Sequence, residues 1–471
     1  MRSKVNFRTY TQISEEHWRF HETFQIKPQS NSPRALPSLY NGIMKQIFKM
    51  LSHFLSCLCV LAGLVFSGAL SAQLFSYDVA YPGVEYTTRP LNDRLTRLMA
   101  DIESGDLVIE HDAEGRGYLD SLLNVLEINP ASQVLVFSKT ALKTRFVTAA
   151  TPRALYFNDD TYIGFIQNSR SLEIAAMDPV LGPVFFDFSQ RPDQPIEPER
   201  EMNRCLRCHD SYSMTGGGVP RFLLSSVLAN PEGNIVTHEI SIITDTGTPL
   251  NRRWGGMYVT GSHGSQEIMG NFVIDDLGKL ANIDLKPNGN KADLAEYLDT
   301  TPYLSSGSDI VALLVLEHQV EFQNRLTRLS FESRTRLHNN GMLTEETLNE
   351  LSKPLLESLF MINESTLTDR VSGNPEYRDY FEALGPFDSD GRSLRQFDLE
   401  TRTFKYPVSF LIYSDAFDAL PDQVKSYLYS RISKILKGED SDPVFSKLNS
   451  AELETATAIL RDTKPEIFNQ K

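Results

Sequence analysis

The chain has 471 residues, 41% of them apolar and 23% charged, so it can bury sizeable cores and is not a disordered polypeptide. Its 61 Asp and Glu outnumber 46 Lys and Arg, a net charge of −15, which excludes a general affinity for nucleic acid or an anionic membrane surface. No repeat of solenoid length and no heptad run interrupts it.

Residues 1–43 are polar and aperiodic and read as a leader foreign to the mature protein. Residues 44–72, MKQIFKMLSHFLSCLCVLAGLVFSGALSA, place Lys45 and Lys49 ahead of an apolar run from Phe54 to Phe66 and close on small residues. That is the layout of a secretory signal peptide, with cleavage near Ser71 or Ala72 and the true start at Met44 or Met50. The apolar run is shorter than the ~20 residues a membrane span needs, so no stable span is expected after cleavage. Residues 1–72 carry eight Lys/Arg and three Asp/Glu, a net +5, so residues 73–471 carry −15 − 5 = −20. The expected location is the periplasm, and the charge suits a basic redox partner protein and no nucleic acid.

Residues 73–289 read as β-rich. Leu91, Leu95, Leu98 and Ile102 share a face and predict a helix over 91–103; a second falls at 117–128. Strand-like runs follow at 133–139, 153–166, 172–178 and 183–189, with Asn158–Asp160 placed as a hairpin turn between apolar runs. More come at 222–228, 234–244 and 256–261. From about residue 290 the period becomes helical, with helices predicted at 292–299, 309–337, 344–360, 421–437 and 450–462. Pro421 and Gly438 punctuate the fourth of these.

The chemistry centres on Cys205-Leu206-Arg207-Cys208-His209. Cys57 and Cys59 leave with the signal, so the mature chain keeps only this pair. Cys-x-x-Cys-His is the attachment signature of c-type haem. Two thiols add across the vinyl groups on one porphyrin edge, two intervening residues set their separation, and the adjacent histidine is directed at the iron as proximal ligand. Attachment occurs outside the cytoplasm, in agreement with the signal segment. A zinc site needs four ligands, usually two such cysteine pairs, and the second pair is absent. A thioredoxin-like redox pair normally opens a helix after a strand, whereas the Pro-rich connector 191–200 precedes this one. A disulfide across so short a loop constrains little. One motif means one covalent haem c.

The sixth iron position separates a closed electron carrier from an open, reactive site. The mature chain offers His111, His238, His263, His318 and His338. His263 lies in the Gly-rich stretch VTGSHGSQEIMGN with Met269, where backbone can approach a flat cofactor. His318 shares a helix face with Ile310, Leu314 and Phe322, a pattern more typical of a core histidine. His263 is the leading distal candidate, with His318 and Met269 as alternatives; Met214 is too close to His209 to reach the opposite haem face. Arg252, Arg253 and Trp254 suit haem propionates, or else a packed Trp beside a solvated arginine pair. TGGGVP (215–220) lacks a phosphate-loop ending and reads as a turn. FDSDGRS has its glycine too early for a calcium loop and reads as an Asx-type turn. No nucleophile elbow or HExxH supports a hydrolase.

The runs RALYFNDDTYIGFI, CLRCH with TGGGVP, RRWGGMYVTGSHG with MGN, SDIVALLVLEHQ and GRSLRQFDLETRTFKYPVSFLIYSDAFDALP resemble a family of exported, single-haem cytochrome c proteins of planctomycetes and some proteobacteria. The resemblance spans roughly residues 85–465. It implies Cys205 and Cys208 as attachment points and His209 as axial ligand, draws attention to His263 and His318, and names no reaction. Relatives often carry histidine where this chain has Ile268 or Gln323, so an iron role there would not be shared. The expected fold class is α+β, with a β-rich haem-bearing domain (73–289) and a mainly helical C-terminal domain (290–471). The expected function is periplasmic electron transfer; the alternatives are a peroxidase- or oxidase-like haem enzyme with an open sixth site and a haem-based gas-binding module.

Overall fold

A computed structural model describes residues 76–211, 214, 216–275 and 289–469. The leader and signal segment fall outside the described residues. The first half is built on a six-stranded antiparallel meander in sequence order: β1 Val134–Val136, β2 Arg153–Phe157, β3 Thr161–Phe165, β4 Ser171–Asp178, β5 Gly182–Ser189 and β6 Glu199–Arg200. The β2–β3 hairpin turns at Asn158–Asp160, where the Asn158 side chain accepts the N–H groups of Asp160 and Thr161 at 3.2 and 2.9 Å. With every predicted helix but one also present, the chain is α+β.

Alternation along the strands gives the sheet two faces. On the first, Tyr156, Ile163, Ile174 and Phe186 pack with helices α1 (Arg94–Ser104) and α2 (Leu119–Val125). On the second, Phe157, Tyr162, Ala175 and Phe185 stand in one cross-strand row. Between β6 and the hairpin β7 (Ser225–Ala229)–β8 (Ile235–Ile243) lies the short helix α3, Asn203–His209.

The 31-residue helix α4, Ile310–Asn340, is capped by Asp309, whose carboxylate accepts the Ala312 N–H at 2.8 Å. It lies on the second face of the sheet. Gln319 Nε2 donates to the Asn158 carbonyl and to the Tyr162 hydroxyl, each at 2.7 Å, and Gln323 Nε2 to the Asp159 carbonyl at 2.7 Å. Helices α5 (Glu345–Leu359), α6 (Pro375–Ala383), α7 (Asp422–Leu436) and α8 (Ser450–Thr463) follow. One apolar cluster takes Phe157, Phe185 and Trp254 together with Leu356, Phe410 and Ile459, so it crosses residue 290 without interruption.

Two predicted elements differ. The run 292–299 is not a helix. Leu294 and Leu298 are both buried as their spacing suggests, and one turn closes between them at 3.1 Å, but the Leu294 N–H is taken by the Ser306 carbonyl at 2.9 Å and nothing propagates. The run 256–261 forms no ladder: the N–H groups of Tyr258, Thr260 and Gly261 go to Leu135, Ser308 and Lys291, three separate segments. It is a crossing point of the fold rather than a strand.

Candidate functional site

The motif occupies α3, so Cys205, Cys208 and His209 stand at i, i+3 and i+4 and share one helix face. Met202 provides no side-chain cap, and the helix lasts only seven residues. The chain then turns through Gly216, Gly217 and Gly218, at φ 77°, 71° and 85°, a left-handed run that glycine adopts without a Cβ clash. This brings Arg221 back against the motif: its N–H donates to the His209 carbonyl at 3.0 Å.

His209 Nδ1 lies 2.7 Å from the Arg221 carbonyl oxygen. A carbonyl only accepts, so Nδ1 carries the proton and Nε2 presents its lone pair. The ring packs on Phe185, centroids 4.4 Å apart. Burial pushes its basicity down to about 4, and nearby Arg153 adds to this; the Arg221 carbonyl and Glu173 pull the other way. A histidine harder to protonate when folded than when unfolded costs stability as pH falls. The apoprotein is therefore expected to be fully stabilised by this group above about pH 6.5 and to lose on the order of 2–3 kcal/mol by about pH 4, a slope that His209→Asn should flatten in urea titrations at each pH.

Both cysteines are free thiols; Cys205 is half-buried and Cys208 exposed. Burial, then Glu173, pushes the Cys205 thiol up to about 12. A redox-active pair needs a lowered value, so this shift runs against the thioredoxin-like reading. The placement does not, because the strand Glu199–Arg200 precedes the helix that carries the motif, where the sequence suggests a Pro-rich connector alone.

Beside α3, part of the second sheet face lies without full cover. Leu155, Gly164, Glu173 and Asp187 are cross-strand neighbours in one row, and Leu155 and Ala175 are half-exposed although they stand mid-sheet and pack on the main cluster. Charge rims this floor. Arg153 meets Glu173 at 3.1 Å, Lys143 meets Asp187 at 2.6 Å, and the Arg153 Nε is buried without a hydrogen-bond partner. Gly164 in that row is buried under the Arg153 and Glu173 side chains, which lie 3.5 Å from where its Cβ would stand. Two half-buried apolar side chains, two thiols and an imidazole lone pair fit a flat apolar ring held at its edge and centre. Among the described residues no group of three or more His, Cys, Asp or Glu converges on one point as an ion would require.

The distal candidates lie elsewhere. Residues leading to His263 run beside the start of α4, with the Ile310 N–H on the Thr260 carbonyl at 3.0 Å. The motif lies beside the middle of α4, where Asn324 exchanges hydrogen bonds with the Phe222 main chain at 2.9 and 3.0 Å. Fourteen residues of helix separate these points, about 21 Å. His263 is buried, its Nδ1 2.6 Å from the Gln266 carbonyl and its Nε2 without a partner. His318 has both nitrogens committed, Nδ1 to Glu364 at 2.9 Å and Nε2 to Ser409 at 2.7 Å. That chain has the order of a hydrolytic triad, but Ser409 is fully buried between Leu359 and Leu411 and no substrate can reach it. Met269 accepts from Ser226 at 3.8 Å and packs with Leu228 and Ile274, in a cluster apart from the one Cys205 touches.

Other expectations also resolve. Arg253 is buried against Glu317 at 2.6 Å and donates to the Thr248 and Thr246 carbonyls, so it is not available to a propionate. Asp388 accepts the N–H groups of Asp390 and Arg392 and pairs with the Arg392 guanidinium, an Asx-type turn rather than a calcium loop. The apolar floor was missed because Leu155 and Ala175 belong to strands that read as ordinary core. The one signal was their side of the alternation, shared with charged Arg153 and Glu173.

Comparisons with models of known families, with curated proteins and with solved structures return no match.

Proposed function

We propose that this chain is an exported, single-haem c-type cytochrome that passes electrons, with haem joined through Cys205 and Cys208 and its iron on His209 Nε2. The observation that carries this is the bond from His209 Nδ1–H to the Arg221 carbonyl. It leaves Nε2 as the open donor on the helix face that holds both thiols. Bound haem supplies one-electron exchange between ferrous and ferric iron. The protein's part is to fix the imidazole through Arg221, to keep it neutral through burial, to hold two thiols beside it, and to offer half-buried apolar side chains at Leu155 and Ala175. Among the described residues no helix is long and apolar enough to cross a membrane.

The placement of His263, His318 and Met269 favours a second reading within the first, a sixth position open to a small ligand. The reduced protein is then expected to bind carbon monoxide on mixing, with a ferric spectrum unchanged by His263→Ala. A six-coordinate spectrum that His263→Ala abolishes would put that residue on the iron and contradict the open site.

A further inference from the structure

Five arginines gather at the motif of a chain whose residues 73–471 carry −20. Arg204 and Arg207 ride on α3 itself. Arg221 is fastened to α3 by its two main-chain bonds with His209. Arg325 and Arg328 project from α4, and Arg328 donates to the Gly217 carbonyl at 3.1 Å. Their closeness registers at Arg221, whose guanidinium is made less basic first by burial and then by Arg328 and Arg325; its Nε is buried without a hydrogen-bond partner.

At Arg325 and Arg204 the accompanying carboxylates are set beneath the guanidinium, whereas at Arg328 the Glu332 carboxylate, 3.6 Å away, is exposed about equally, 28% against 31%. The side chain of Arg325 is 47% exposed and that of its i−4 partner Glu321 16%, at 3.6 Å. Arg204 is 48% exposed, against 20% for Asp187 at 3.5 Å and 6% for Glu201. Asp210 is turned to the Tyr77 hydroxyl. Arg207 is exposed and has no ion pair among the described residues. At Arg204, Arg207 and Arg325 an approaching group therefore meets guanidinium first, beside the exposed Cys208. Docking is decided within a Debye length, about 10 Å at 0.1 M salt, so this local layer outweighs the distant net charge.

We propose that the rim formed by Arg204, Arg207, Arg221, Arg325 and Arg328 is the docking surface for an acidic redox partner protein. This rests on the reading of the motif as a haem site, and it reverses at that site the basic partner expected from net charge. The transfer it serves moves one electron from ferrous haem to the partner's acceptor, with no bond or proton displaced.

The first test needs no haem. Fluorescein-labelled polyglutamate is titrated by anisotropy into the mature protein and into its Cys205→Ala, Cys208→Ala variant at low ionic strength. Both are expected to bind, binding is expected to weaken with added salt, and Arg207→Glu with Arg325→Glu should weaken it about tenfold or more. No binding, or binding indifferent to those two substitutions, overturns the proposal. In the haem-loaded protein, stopped-flow oxidation by ferricyanide, reduced to ferrocyanide by one electron, is expected to slow as salt rises. Acceleration with salt would mean that the net −20 governs approach and would overturn it as well. A colourless preparation would sink the haem reading while leaving the anisotropy result to judge the rim.

Discussion

A Cys205→Ala, Cys208→Ala double variant, expressed with a haem c maturation apparatus, is expected to retain no haem through denaturing electrophoresis, whereas the parent chain keeps a haem-stained band. The two thiols are the whole attachment, because residues 73–471 hold no other cysteine. Each single variant leaves one thioether and should keep a reduced, still covalent, fraction. His209→Ala separates attachment from ligation: the stained band persists, while the absorption spectrum loses the imidazole-bound form. A double variant that still holds haem through denaturation would place the linkage elsewhere.

The largest expected change in stability lies away from the motif. Glu317→Ala should cost about 3–5 kcal/mol in urea unfolding at pH 7, since it strands the buried Arg253 guanidinium that now lies 2.6 Å from the carboxylate. Both side chains are almost wholly buried, 4% and 1% exposed. Burial raises the Glu317 carboxyl and Arg253 draws it back down. Replacing the pair together, Arg253→Met with Glu317→Leu, should restore most of the loss, because two apolar groups leave no unpaired charge. The pair ties the 246–253 loop to α4, the helix that also covers the second face of the sheet and carries Arg325 and Arg328.

What could be read from sequence was local. Asn158 announced its hairpin because an Asn side chain bonds its own turn. Pro421 and Gly438 bounded α7, with Gly438 at φ 69° as a helix end requires. The Asn374–Pro375 cap of α6 is the same kind of local signal. The α3 helix was harder: it is short, uncapped, and held by Arg221 across a glycine turn. The motif's three groups were legible because their spacing is their chemistry. The surroundings were not. His318 looked like a core residue from its helix face, yet only the fold brings Glu364 and Ser409 to its two nitrogens. Met269 and His263 share a glycine-rich stretch suited to a flat ligand, and tertiary packing takes its first part to the start of α4 and Met269 to a cluster with Leu228 and Ile274 instead. The arginine rim joins α3 to a helix more than a hundred residues later, a proximity that no periodicity encodes.

Two thioether bonds would join haem to Cys205 and Cys208, and intact mass spectrometry of the protein secreted by a haem c-maturing host measures them directly. The polypeptide is expected to carry the added mass of one haem through acid-acetone treatment, with fragmentation placing it on the peptide that contains Cys205 and Cys208. An unmodified mass, or one lower by the two hydrogens of a disulfide, would contradict it.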